Sequence, residues 1–381
     1  MEESAGRTAS GFYKLTAAER LETVRQSANL DPEETSVLRE SLDIAERTGT
    51  NWLENQVGAV VLPLAVVPGF TVNGKSYIVP LATEETGIVA ACSFAAKAAA
   101  RYGGFTARME SDLVSGQVII DQCPHPEEAV RKIESAAFDV MQQVNRKHPH
   151  LAAAGGGLRE IEARTVKFRD KPRFVAVTIT ADSRDAMGAA LMTTMAEETA
   201  EILGPLLGGQ VLLRVITNDM SARVCEARAC FDITDTGGLD VCKRIVQAAE
   251  YARLDLSRAV THNKGILNGM SAFAMATGND TRAVEAAAHF FASVSGTYQP
   301  LSDWKLTDDW LEGVIWVPGA VGSVGGATQA TRLNRLSYKI LGTSSGTTVR
   351  EICAAVGLAA NLGVLRALVT TGIGKSHRNK S

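Results

Sequence analysis

Along this chain the spacing of apolar residues changes several times, and each change predicts an element. Between Leu15 and Glu46 apolar positions recur every three or four residues among charged ones, which predicts two amphipathic helices, TAAERLETVRQSA and DPEETSVLRESLDIAERT; Asp31-Pro32 suits the start of the second. Residues 54–85 carry β-branched runs on both sides of Asn73-Gly74, a pattern that predicts a hairpin. The next run, TGIVAACSFAAKAAARYGG, is built from small side chains and closed by Gly103-Gly104. Such a helix lets other backbones approach closely and is expected to run through the middle of a domain.

From about Met109 to Asn218 the pattern alternates. A strand (QVIID, 117–121), a long amphipathic helix after His125, a strand pair (REIEARTVKF and RFVAVTITA), a helix over 185–203 and a strand (QVLLRVIT) follow in turn. This β-α-β-β-α-β order is the split βαβ, ferredoxin-like pattern and predicts an inserted domain. Beyond it come the strand-like ARVCEARACFDI, the helix VCKRIVQAAEYARL, a strand and glycine-rich turn over 314–332, and a last helix ahead of KSHRNKS.

Composition narrows the class. The chain has 381 residues, 45% hydrophobic and 21% charged, enough for two or three globular domains with a sizeable core. A formal net charge of −3 offers no basic excess for nucleic acid or an anionic membrane. No apolar run is expected to reach the roughly 18 residues that span a bilayer, and the N-terminus lacks a basic-then-apolar leader pattern. Six cysteines are scattered without a CxxC, and the HPH at 148–150 is too short a cluster for a metal site. A reduced, cytoplasmic protein without zinc is expected.

Candidate chemistry concentrates in Thr261 to Glu285. Lys264 stands beside Asn263, Asn268 and two glycines, at what reads as a helix start, and Asp280 opens the next helix. A lysine in so apolar a stretch loses hydration unless a carboxylate keeps it charged, and Asp280 is the candidate. A charged lysine aimed at a carbonyl oxygen suits a reaction that builds alkoxide character; the alternative is a solvated lysine and an ordinary helix cap. Glu84 and Glu85 precede the small-residue helix, where the helix dipole and burial oppose each other, and Glu85 could hold a proton near neutral pH or merely serve the dipole. The turn of Asp185, Ala186, Met187 and Gly188 follows a strand and opens a helix, so its amides could hold a pyrophosphate, or it is a plain helix start. His377 lies near the C-terminus, where a histidine by itself carries little.

Six motifs, ENQVG (54–58), PLATEETGIVAA (80–91), DAMGAA (185–190), THNKGILNG (261–269), GNDTRAVEA (278–286) and AVGSVGGAT (320–328), stand in the order found in hydroxymethylglutaryl-CoA (HMG-CoA) reductases. With SGFYKLTAAER near the N-terminus, the chain resembles the class II members. The resemblance implies an α+β fold: a large HMG-CoA-binding domain (1–108 and 219–374) around a central helix, an inserted ferredoxin-like NAD(P)H-binding domain (109–218), and a short tail (375–381). It implies reduction of HMG-CoA to mevalonate and CoA by two hydride transfers. Lys264 would stabilise the oxyanion, with Asp280 bonded to it. Glu85 would protonate the product of aldehyde reduction, and His377 the departing thiolate. Arg258, Asn268 and Asn218 would lie at the substrate, and 185–188 at the cofactor. The implied assembly is a homodimer with its site at the interface, Glu85 and Lys264 coming from different chains. The same site could run oxidatively on mevalonate, or the chain could be an inert CoA-ester-binding homologue.

Three departures from class II stand out. Class II members usually continue beyond the histidine as a helical flap, whereas this sequence stops at Ser381: either the flap is absent or it was removed, and closure is then expected to rest on a few tail residues. The cofactor turn ends in Ala190 where an amide is usual. Where NADH-preferring relatives carry an aspartate, this chain has His148 beside Arg146 and Lys147, a basic set that attracts a 2′-phosphate. Initial rates with NADPH should therefore exceed those with NADH; a clear advantage for NADH reverses the assignment.

Overall fold

The structure is a computed structural model and describes residues 11–51 and 53–372. Helix α1 (Ala17–Ala28) opens with a Thr16–Glu19 capping box and α2 (Pro32–Thr48) with an Asp31–Glu34 box, each satisfying two amides that would otherwise lack acceptors. Strands β1 (Leu64–Val72) and β2 (Lys75–Ala82) form the expected hairpin. Asn73 and Gly74 both take positive φ, 50° and 76°, the twist a two-residue turn needs. Helix α3 (Ile88–Ala100) and strand β3 (Thr106–Met109) follow.

The middle of the chain contains β4 (Leu113–Asp121), α4 (Pro126–Lys147), β5 (Gly157–Phe168), β6 (Lys171–Asp182), α5 (Ala189–Leu207) and β7 (Gln210–Ile216). The strands lie in the order β5-β6-β4-β7 with every neighbouring pair antiparallel, the arrangement of a split βαβ unit. Helices α4 and α5 pack against the sheet and each other.

The chain then forms β8 (Val224–Asp232), α6 (Leu239–Leu254), α7 (Leu256–Ala276), α8 (Thr281–Ser293), β9 (Ser302–Leu306), β10 (Trp310–Pro318), α9 (Arg332–Leu341) and α10 (Gly346–Val369). A second antiparallel sheet runs β3-β8-β10-β9. The sequence pattern predicts no strand at Ser302–Leu306. Five residues carrying two charges make a weak pattern, and pairing with β10 supplies the order.

The centre of this half is α10, beside which α3 runs, rather than the small-residue helix itself. Fifteen of its 24 residues are buried, against α7, α3, α6 and the second sheet. This corrects the expectation about apolar runs: α10 is long and apolar enough to cross a membrane by length and composition, yet protein surrounds it, as befits a core helix. Missing side chains set the spacing. A Cβ on Gly269 of α7 would lie 2.7 Å from the Ala360 Cβ, and one on Gly363 would collide with Ala91 of α3.

Helix α7 is pinned by buried polar groups. His262 Nε2 lies 2.7 Å from Ser302 Oγ, which donates to Asn361 Oδ1 at 2.9 Å; Trp304 Nε1 donates to the same oxygen at 2.7 Å. Asn263 accepts from the Leu301 amide and donates to the Gln299 carbonyl, both at 2.9 Å. These bonds fix the rotation of α7 and hence the direction of Lys264, the next residue.

Burial pushes His262 from 6.5 down to about 4, with the Arg258 and Arg253 charges adding to it. Above about pH 6.5 the ring is neutral whether folded or not. As pH falls toward 4, the unfolded chain binds a proton that the folded chain refuses, so stability falls through that window, by on the order of 3 kcal/mol. Urea midpoints measured at about pH 7 and about pH 4.5 should drop less for His262→Gln than for the unmodified chain; equal drops would place the loss elsewhere.

Candidate active site

Two rigid elements meet at Lys264. The bend between β2 and α3 carries Glu85, whose amide donates to Thr83 Oγ1 at 3.1 Å. Strand β2 packs on α7 and delivers that carboxylate to the helix. Lys264 Nζ lies 3.0 Å from Glu85 Oε2, and Asn268, one turn along, donates from Nδ2 to Glu85 Oε1 at 3.4 Å. Lys264 is not at a helix start. Asp255 caps α7, and the lysine is the ninth residue of the helix, so the N-terminal dipole does not act on it as expected.

Within one chain this cluster is open to water, with side-chain exposures of 62% for Lys264 and 41% for Glu85. An ion pair so exposed stabilises a fold by about 1 kcal/mol or less. Its geometry is therefore of more interest as chemistry than as a brace. It also corrects the expectation that these two groups come from different chains, because here one chain supplies both.

Asp280 stands elsewhere. It caps α8, accepting from the Arg282 and Ala283 amides at 2.9 and 3.3 Å, and pairs with Arg282 Nη2 at 3.0 Å. From Lys264 to the end of α7 the helix rises roughly 18 Å, which carries Asp280 away from the lysine of its own chain. The carboxylate expected beside Lys264 is replaced within the chain by Glu85. Arg258 lies half-buried six residues before Lys264, and no hydrogen bond joins its side chain to the cluster among the described residues. Asn218 lines a cavity of about 550 Å³ between the first sheet and α8, with Gln117, Arg164, Asp219 and Phe290. His377 lies outside the described residues.

The second expected site is the turn between β6 and α5. The Asp185 carbonyl accepts from Ser323 at 2.8 Å, and its Oδ1 accepts from the Gly346 amide at 2.6 Å. Ala186 forms a bridge with Val324, and a Cβ on Gly322 would strike the Met187 amide nitrogen. The glycine-rich stretch at 320–328 thus serves close backbone packing against this turn. Gly188, at φ 111°, leads into α5, whose first amides have no acceptors within the helix. Of the basic group, Arg146 is exposed, while His148 Nε2 sits 2.8 Å from Glu198 Oε2 and Lys147 Nζ 3.5 Å from Glu201 Oε2. Both carboxylates are on α5.

Sequence reasoning passed over two residues beside this turn, Arg223 and Arg350, each fully buried. A signal exists for one of them: Arg350 is a cation inside a run otherwise typical of a core helix. Among the described residues no group of three or more His, Cys, Asp or Glu side chains could hold a metal.

Comparison with known proteins supplies the context. The family model for hydroxymethylglutaryl-coenzyme A reductase matches residues 16–381. The chain is 40% identical over 371 residues to 3-hydroxy-3-methylglutaryl-coenzyme A reductase of Archaeoglobus fulgidus, covering 96% of this chain and 84% of that protein. It is 34% identical over 342 residues to a probable reductase of Borreliella burgdorferi, covering 86% and 75%. It is also similar to the solved class II reductase of Streptococcus pneumoniae bound to NADPH in open conformations, with a TM-score of 0.79, 36% identity, and coverage of 95% of this chain and 99% of that one. With matches that run over nearly its whole length and a shared fold, the chain belongs to the hydroxymethylglutaryl-coenzyme A reductase family.

Proposed function

We propose that this protein reduces HMG-CoA to mevalonate and CoA through two successive hydride transfers, with NADPH preferred over NADH. One observation carries the reading most directly: the ammonium of Lys264 and the amide of Asn268 both bond the Glu85 carboxylate, at 3.0 and 3.4 Å, at the surface of α7. Two reduced nicotinamides, bound one after the other, would supply one hydride to each reduction. What the chain must provide is a cation wherever oxygen becomes negative and a proton wherever a leaving or product oxyanion or thiolate must be quenched.

Lys264 answers the first need in both halves of the reaction, since thioester and aldehyde reduction each build charge on the same oxygen. When the C–S bond of the hemithioacetal breaks, the thiolate takes a proton, a role assigned to His377. The alkoxide left by the second reduction takes its proton from Glu85, which Lys264 and Asn268 hold in place. Arg258 and Asn218 are assigned to the substrate. For the dinucleotide, the residues fit. Gly188, at φ 111°, opens α5, whose first amides have no acceptors within the helix, and Asp185, Ala186 and Met187 shape that turn. Arg146 is exposed nearby and available to a 2′-phosphate, with His148 held on Glu198.

Asp280 enters by symmetry. Its own Lys264 is out of reach along α7, so the arrangement calls for a homodimer in which Asp280 of one subunit approaches Lys264 of the other. Such a contact would also dry a cluster that is wet in the single chain and strengthen every charge in it. Residues 1–108 with 219–374 are read as the substrate-binding body, 109–218 as the inserted cofactor domain and 375–381 as the tail that brings His377. The composition, without a charge excess or a leader pattern, supports reading the location as cytoplasmic.

Two sets of measurements test this. Lys264→Ala should lower turnover by about a hundredfold or more with both HMG-CoA and mevaldehyde, whereas His377→Gln should slow thioester reduction yet spare mevaldehyde. Equal losses for His377→Gln in both assays would remove it from thiolate protonation. Separately, mixing inactive Lys264→Ala subunits with inactive Asp280→Asn subunits should restore on the order of a quarter of the activity, because each mixed dimer regains one intact site. No recovery after subunit exchange would place both groups in one chain.

A further inference from the structure

The reaction as described uses neither Arg223 nor Arg350, although both are buried against the 185–188 turn. Arg350, in the second turn of α10, donates from Nε to the Val321 carbonyl at 3.1 Å and from Nη1 to Asp112 Oδ1 at 2.7 Å. Its Nη2 donates to the carbonyls of Arg184 and Ala186 at 2.6 and 2.9 Å. Arg223 donates from Nη1 to the Met187 and Ala186 carbonyls at 3.0 and 3.3 Å, and from Nη2 to Ser183 Oγ at 2.6 Å and to the Asp112 carbonyl. The carbonyls of residues 184, 186 and 187 therefore all face the guanidinium pair. In a trans peptide the following N–H points the opposite way, so the amides of Asp185, Met187 and Gly188 are directed away from the arginines; that of Met187 packs on Gly322, which leaves those of Asp185 and Gly188 for a ligand.

The same two side chains join three parts of the chain. Asp112 lies where the chain enters the first sheet, Arg223 lies just before β8 where it leaves, and Arg350 belongs to the central helix. Asp112, Asp182 and Asp185 sit close enough to offset both guanidinium charges. Asp182 is shared with Arg184 and Arg159 on the surface, and what the two buried guanidinium groups contribute to the turn itself is geometric.

We propose that Arg350 and Arg223 are positioning residues of the reductase: they hold the 184–187 carbonyls inward so that the turn presents its amides to the pyrophosphate of the nicotinamide dinucleotide, and through Asp112 they register that turn against the substrate-binding body. This rests on the reductase reading given above. It differs from a purely structural role in what each variant does to the two ligands.

The test uses the full chain with Arg350→Lys, Arg350→Met and Gly346→Ala. The last leaves both arginines intact but places a Cβ 2.5 Å from the Asp185 Cα, pushing the turn from its other side. Dissociation constants for NADPH are measured by calorimetry without substrate, alongside KM for NADPH, KM for HMG-CoA and the melting temperature. All three variants should weaken NADPH by roughly ten- to a hundredfold, the effect of losing one or two charged hydrogen bonds, with KM for HMG-CoA within about twofold. Lysine should not rescue, because one ammonium cannot reach acceptors that Nε, Nη1 and Nη2 reach separately. Lower melting temperature with unchanged NADPH affinity, equal weakening of both ligands, or rescue by lysine would each overturn the inference. If the Arg350 variants do not fold, an unchanged NADPH affinity in Gly346→Ala overturns it alone. An unmodified chain that binds NADPH without turning over HMG-CoA overturns the reductase reading only and leaves the inference to the binding measurements, whereas one that binds no NADPH overturns both.

Discussion

A buried polar side chain must find partners inside the protein or cost the fold several kcal/mol, and the central helix α10 carries two of them. Arg350 near its start takes up the backbone of the 185–188 turn. Asn361, about 16 Å further along the axis, takes up Ser302 and Trp304 and through them His262 of α7. The groups that satisfy one side chain belong to the turn proposed for the cofactor, and those that satisfy the other hold the helix bearing Lys264. One apolar helix with two obligatory polar contacts thus sets the distance between that turn and Lys264.

The cluster proposed to react is built differently. Lys264, Glu85 and Asn268 are held by rigid elements yet lie open to water in the single chain. Rigid placement limits the cost of orienting them at the moment of reaction, while a strong electrostatic effect requires that water leave. A site so arranged is half-made: the positions are set by one chain, and the dielectric must be set by whatever covers α7.

Much of this was legible in the residues. The Asp-Pro helix start, the Asn-Gly turn and the alternation of periods over 109–218 are local signals, and the elements they predict are present in the structure. Lys264 and Glu85 stood out because each is a charge in a small-residue context. Their mutual partnership did not, because whether Asp280 or Glu85 reaches Lys264 depends on the length of α7 and on where it begins. The helix starts at Leu256, well before the residues that drew attention, and nothing local marks that strongly apart from Asp255. The core helix was obscured for a related reason: Arg350, Glu351 and Arg366 interrupt the run, and only packing shows the first of them to be an interior residue. The offsetting of His148 by Glu198, fifty residues away, is likewise a tertiary fact.

The seam where α7 and α3 press against α10 is made of Gly269, Ala360, Gly363 and Ala91. Residues of this size bring almost no rotamer freedom to lose, so ordering the seam costs backbone entropy alone. The same economy leaves nothing that can swing aside when a neighbour grows. Variation among descendants of this protein should therefore gather on the exposed faces of the two N-terminal helices and of the sheets, while the glycines and alanines of the seam stay as they are.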